Sequence, residues 1–356
     1  MISLPETTTA SVAAPKVVLP IGPPGQQLAD TAALARLAED AGLDGISYAE
    51  LSSDPLLHLT VAAGSTSRVD LMTNILVAFA RSPMTLATQA RALQDYSGGR
   101  LILGLGSQIK PHVERRFSMP WSAPAARMAE FVAALRAIWF AWETGEKLDF
   151  RGDFYTHTLM TPMFTPPSQT PAPKVFIAAV GPKMCETAGA VADGLLVHGF
   201  STGERYLREM TVPALERGAG GRLRDDFEIV DLSFGVTGRS DEEFAASAKA
   251  VKQQLAFYAS TPAYLPVLEL HGWQDLGAEM HALSKSDDPD RWTKMGERLP
   301  DEVLEAFAVV GTPADIPGKL AARGQGVVSR YSVNTLGIDD PDLVMQLARE
   351  IQNAVR

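Results

Sequence analysis

The chain is poor in the residues that several common chemistries need. It has one cysteine, Cys185, among 356 residues, which excludes an intrachain disulfide and a multi-cysteine metal site. Its six histidines stand at 58, 112, 157, 198, 271 and 281, and none forms an H-x-x-x-H or H-E-x-x-H pair. No metal is therefore expected. Basic residues are also short: 32 Lys and Arg face 42 Asp and Glu, a formal net charge of −10. A field of that sign repels a phosphate backbone or an anionic membrane, so the expected partner is a small-molecule substrate, with no nucleic acid and no membrane. Long apolar runs are missing too. The longest, FVAALRAIWFAW (131–142), contains Arg136 and is too short to span a bilayer. The opening MISLPETTTASVAAP has neither the basic start nor the apolar run of a signal peptide. A cytoplasmic location is expected, with a loose tail over residues 1–15.

What remains is ordinary globular material, 46% apolar and 21% charged, arranged as an alternation. Strand-like runs occur at KVVLPI (16–21), GISYAE (45–50), VDLMTNILV (69–77), RLILGLG (100–106), KVFIAAV (174–180), GLLVHG (194–199), FEIVDLSFGVTG (227–238) and VVSRYSVN (327–334). Segments of helical spacing separate them, and DLVMQLAREIQNAV (342–355) closes the chain. Alternating βα units argue for a parallel sheet covered by helices. Eight of them at this length fit a (β/α)8 TIM barrel, taken as one domain over 16–356. Two insertions interrupt the alternation, 147–173, read as a hairpin with a Pro-rich return, and 261–300.

Four motifs carry candidate chemistry. Gly104-Leu105-Gly106 lacks the third glycine of a dinucleotide fingerprint, because Ile109 stands there. Its glycines either let a strand end turn or let a flat ligand approach the backbone. The basic residues from Lys110 to Arg116, with His112 among them, suit an anionic group or simply a solvated turn paired to Glu114. Val180-Gly181-Pro182-Lys183 reads as a strand, a turn and a helix start, which is a phosphate site or a plain βα turn. Gly199-Phe200-Ser201-Thr202-Gly203 matches a hydrolase nucleophile elbow, and Asp231 with His271 or His281 would complete a triad. His198 closes the sixth strand, where barrel side chains approach the active face. His58 lies in an apolar helical pattern and reads as structural.

Several segments together resemble a known family: AGLDGISYAE (41–50), TNILVAFARSPMTLATQARALQDYSGGRLILGLGSQ (73–108), LRAIW (135–139), FIAAVGPKMCETAGAVADGLLVHG (176–199), FYASTPAYLPVLELHGW (257–273) and DEVLEAFAVVGTP (301–313). The resemblance is to the bacterial luciferase-like monooxygenase superfamily, in its coenzyme F420-dependent oxidoreductase branch. It implies a deazaflavin, or alternatively FMN, bound at the carboxyl ends of the barrel strands, and a homodimer. It also implies a non-prolyl cis peptide at Asn74-Ile75 that makes a bulge behind the ring. Thr73, Asn74, Ile75, Ser107, Gln108, Ala179, Val180, Gly181, Lys183 and Met184 match the cofactor-binding positions.

Two positions depart from the family pattern. Leu51 stands where a histidine often follows the acid of strand two, and Ile109 where some members carry a catalytic glutamate. Glu50, His112 and His198 are the catalytic candidates, in that order. Tyr155, His157, Tyr258, Tyr264 and Trp273 are expected to line the substrate pocket. The leading expectation is F420-dependent hydride transfer to or from a small organic substrate. The alternatives are an FMN monooxygenase with a reductase partner, a Ser201 hydrolase and a ligand-binding barrel without catalysis.

Overall fold

The computed structural model describes residues 14–22 and 25–356, so the expected tail lies, up to residue 13, outside the described residues. Eight parallel strands close into a barrel: β1 (Lys16–Pro20), β2 (Gly45–Tyr48), β3 (Asp70–Thr73), β4 (Leu101–Gly106), β5 (Lys174–Ala179), β6 (Gly194–Val197), β7 (Glu228–Val236) and β8 (Arg330–Asn334). Each pairs in parallel with its neighbours in sequence, and β8 returns to β1. All eight fall within the segments read as strands, and at least one helix separates each from the next. The TIM barrel expectation is met.

Alternation along the strands sorts the side chains. Val18, Met72, Ile102, Phe176, Leu196 and Val230 meet as a buried cluster inside the barrel. Residues of opposite parity, such as Val17, Ile46, Leu71, Leu103, Val175 and Leu195, join the larger core between strands and helices. The inward parity carries charge to the amino-terminal end, where Lys16, Asp70, Lys174 and Glu228 stand two residues before Val18, Met72, Phe176 and Val230. Arg330 is 2% exposed and binds Asp70 at 2.7 Å as well as Glu228. Lys16 adds to Asp70 and Lys174 to Glu228. Burial pushes the Glu228 carboxyl up, but Arg330 and Lys174 outweigh it and hold it below the ordinary carboxylate range.

The insertions fold as compact additions. In the first, Phe150–Arg151 pairs antiparallel with Thr156–His157, as the hairpin reading expects. It is clamped to the helix Pro124–Thr144, where the Glu130 carboxylate accepts the backbone N–H groups of Asp153, Phe154 and Tyr155. The second forms the helices Leu265–His271, Gln274–Ser284 and Arg291–Arg298. One strand escaped the sequence reading: Ala308–Val310 pairs in parallel with Phe234–Val236. β7 outruns β6, and its upper edge would otherwise leave backbone groups unpaired.

The Gly104-Leu105-Gly106 step acts through packing. A Cβ on Gly104 would fall on the Thr73 carbonyl oxygen and the Leu196 side chain. A Cβ on Gly106 would stand 2.7 Å from Ile75 Cδ1. The glycine space is thus filled by the end of β3, which corrects the idea that it directly admits a flat ligand. Gly106→Ala is expected to destabilise by about 1–3 kcal/mol through overpacking. Gly318→Ala, at an open helical position, is expected to gain about 0.5–1 kcal/mol. Urea denaturation of both variants checks the contrast.

Candidate active site

The carboxyl ends of the strands form the rim, and its sharpest feature lies after β3. The Asn74-Ile75 peptide bond is cis, as the resemblance implies. The strand breaks there and resumes as Leu76–Val77, which pairs with β4. Asn74 N–H donates to Tyr48 O at 2.8 Å, and Ile75 O accepts Glu50 N–H at 2.9 Å.

Glu50 belongs to this scaffold. Its Oε2 accepts Val77 N–H at 2.7 Å and Arg81 Nη1 at 2.8 Å, and Arg81 also binds Asp54 at 2.8 Å. Burial leaves Glu50 only 8% exposed. Parity explains the placement: Ile46 and Tyr48 pack in the outer core, so the side chain inside the barrel is that of Ala49 rather than Glu50. A carboxylate shared between an N–H and a guanidinium is an anchor for the bulge, which argues against Glu50 as the leading proton donor.

The β4 loop is largely self-satisfied. Ser107 Oγ donates to Gln108 O at 3.1 Å, and Gln108 Oε1 accepts Ile109 N–H at 3.0 Å. Gln108 adopts a φ of 59°, a left-handed conformation uncommon outside glycine. Next comes a short π-helical turn, His112–Arg116. His112 is exposed, Lys110 faces Glu114 at 3.8 Å, and Arg116 donates to Leu51 O. The basic residues do not converge into one site, and the solvated reading of that run accounts for them.

After β5 the arrangement opens. Gly181 is the N-cap of the helix Pro182–Val191, and a Cβ there would meet nothing within 4 Å. Gly181 O accepts Met184 and Cys185 N–H. The N–H groups of Gly181 and Lys183 have no protein partner among the described residues. Lys183 is exposed and has no ion pair among those residues. Beneath, Val180 O accepts the Tyr206 hydroxyl at 3.1 Å. Thr73 Oγ1 donates to Gly104 O at 2.8 Å, so Thr73 supports the wall from behind. Burial pushes the Cys185 thiol up to about 12, which makes it an inert packing residue.

His198 has the parity of Leu196 and so turns inward at the rim. Its ring meets Tyr258 edge-on at 4.5 Å and Tyr264 at 5.0 Å, while Phe200 backs both tyrosines. Nδ1 accepts Phe200 N–H at 3.2 Å. An acceptor nitrogen carries no proton, so neutral His198 holds its proton on Nε2. Burial lowers its pKa to about 4. At neutral pH this residue is therefore a hydrogen-bond donor and not a cation.

The remaining candidates separate. Ser201 is 1% exposed and its hydroxyl donates to His198 O. His271 Nδ1 bonds Val267 O, His281 Nδ1 bonds Ser260 O, and Asp231 accepts Ser233. These bonds give no Ser-His-Asp relay, which corrects the hydrolase alternative. Tyr155 is tied to Arg127, and Trp273 stacks on His271 at 4.9 Å. His58 is buried between Thr31 and Ser53 and stacks on Tyr48, a structural role. Sequence reasoning missed Arg81 and Phe200. The first had a signal in its spacing after the bulge, whereas the second was absorbed into the G-x-S-x-G match.

Two outcomes follow from these contacts. Arg81→Met leaves the buried Glu50 carboxylate without its cation and is expected to cost about 3–5 kcal/mol, with Glu50→Gln in the same chain restoring part of it. Denaturant titration reads both. Nitrogen-15 NMR is expected to show His198 as the Nε2–H tautomer, titrating near 4 against an ordinary 6.5. Because the folded pKa is depressed, the stability that neutral His198 contributes is complete above about 6.5 and is lost as pH falls through about 4.

The comparisons with known proteins agree with this fold. An uncharacterized protein of Mycobacterium tuberculosis is 56% identical over 307 residues, covering 85% of this chain and 89% of that one. A second protein of the same organism, provisionally named a coenzyme F420-dependent oxidoreductase, is 30% identical over 296 residues, with coverages of 79% and 83%. The coenzyme F420-dependent tetrahydromethanopterin reductase of Methanopyrus kandleri superposes with a TM-score of 0.78 at 19% identity, over 97% of this chain and 100% of that one. The profile of the luciferase-like monooxygenase family matches residues 7–330, and the chain belongs to that family.

Proposed function

We propose that the protein is a coenzyme F420-dependent oxidoreductase that moves a hydride between the deazaflavin and a small organic substrate. The observation that carries this reading is the relative named for F420, 30% identical across 79% of the chain. The residues on the rim fit such a cofactor. The open cradle at Gly181, the unpartnered N–H groups of Gly181 and Lys183 and the exposed Lys183 ammonium suit an anionic tail. The bulge at Asn74 and Ile75 offers a rigid support for a flat ring, with Val180, Met184, Ser107 and Gln108 as further wall; Ala179, which shares the parity of Val175, is buried in the outer core. When bound, the deazaflavin supplies two-electron hydride chemistry that reacts poorly with oxygen.

The chain's own residues supply position and polarity. Glu50 and Arg81 lock the bulge from behind, so the support does not yield under a ligand. Lys183 holds the tail, and His198 keeps an Nε2–H at the mouth, where it stabilises charge that gathers on a substrate oxygen.

Fluorescence titration tests the cofactor directly. F420 is expected to bind more tightly than FMN, and a preference for FMN overturns the reading. Lys183→Ala is expected to weaken F420 roughly tenfold and to leave the deazaflavin fragment without its phosphate tail unaffected.

A further inference from the structure

The two donors at the mouth constrain the substrate itself. The rings of His198 and Tyr264 lie 5.0 Å apart, tilted by 44°, a separation that permits their polar atoms to share one oxygen. Phe200 N–H occupies His198 Nδ1, which commits the other ring nitrogen to donation. Among the described residues neither His198 Nε2 nor the Tyr264 hydroxyl has a protein hydrogen-bond partner, and both residues are half-buried. Around them stand faces and edges of aromatic rings: Tyr258 at 4.5 Å from His198, and Phe200 at 6.1 Å from Tyr264.

Among the described residues, aromatic rings pack on His198 and Tyr264, and no charged side chain is bonded to either ring. Burial lowers the pKa of His198 and raises that of Tyr264, in both cases against the charged form. The acid that the sequence suggested, Glu50, is committed to Arg81 and Val77 N–H. A carboxylate or an ammonium entering here would lose its water and find no counter-charge. A carbonyl or hydroxyl oxygen would find two donors, and a flat apolar body would find the rings.

We propose that His198 Nε2–H and the Tyr264 hydroxyl together hold the oxygen of a neutral carbonyl or alcohol substrate, whose apolar body rests on Phe200 and Tyr258. This deepens the proposed oxidoreductase reading and rests on the same barrel mouth. His198 and Tyr264 are specificity-determining donors in this arrangement: they polarise the oxygen and reject ions.

Fluorine NMR titrations test it with three probes of one shape. These are para-trifluoromethyl acetophenone, the matching benzoate, and the matching ethylbenzene, which lacks the oxygen. The ketone is expected to bind at least about tenfold more tightly than the benzoate, given the cost of desolvating an unpaired ion. Tyr264→Phe and His198→Leu are each expected to weaken the ketone roughly 3–10-fold, the worth of one neutral hydrogen bond. The ethylbenzene is expected to be unmoved by either, and His198→Gln, which keeps a donor, to recover part of the loss. Equal binding of ketone and benzoate overturns the proposal, as does a parallel loss of ketone and ethylbenzene, which would mark a merely structural role. Binding of none of the three probes overturns it as well. F420 titration of the same samples keeps the two readings apart. Ketone selectivity without F420 binding defeats the cofactor reading alone, and F420 binding without ketone selectivity defeats this proposal alone.

Discussion

The close approach of the third strand to the fourth governs the carboxyl end of this barrel. Two glycines on β4 leave volumes that the Thr73 carbonyl and the Ile75 side chain enter, and Thr73 Oγ1 seals the contact on Gly104 O. Only with that space available can β3 break after Thr73 and resume at Leu76. The break in turn exposes the Val77 N–H and the Ile75 carbonyl to Glu50, which binds both. Arg81 then balances the carboxylate and ties it to Asp54. Two glycines on one strand thus make room for a charged anchor on another, and that anchor fixes the wall of the mouth.

The alternation of strands and helices was legible because a barrel imposes a repeated pattern: an apolar run, a turn, a helical stripe. β7 shows the limit. Its nine residues were visible as one strand, yet nothing in them revealed that Ala308–Val310 would cover the upper edge. That pairing joins residues far apart in the chain and leaves no local trace.

At the site, the resemblance located the cis bond at Asn74-Ile75. Residue type misled at Glu50, because an acid at a strand end looks alike whether it faces a ligand or a guanidinium. Counting in twos from Ile46 and Tyr48 would have turned it outward. His198 was named from its place at a strand end, but its tautomer depended on Phe200 N–H, a backbone contact that no side-chain pattern records. The basic run from Lys110 to Arg116 was the most conspicuous charge in the sequence, and it disperses over an exposed turn.

The cluster at the amino-terminal end of the barrel has a consequence in time. Arg330 reaches Asp70 across 260 positions of sequence, and Glu228 across 102. It comes from the eighth strand, so both carboxylates wait without that partner until residue 330 has been made. A growing chain that has completed seven strands still holds two acids around an empty place at the foot of the barrel. Docking of the eighth fills that place and joins β7 to β1 in one event. Barrel closure therefore waits on the eighth strand, whose contact with Asp70 spans 260 positions of sequence and carries a correspondingly large loop-closure cost.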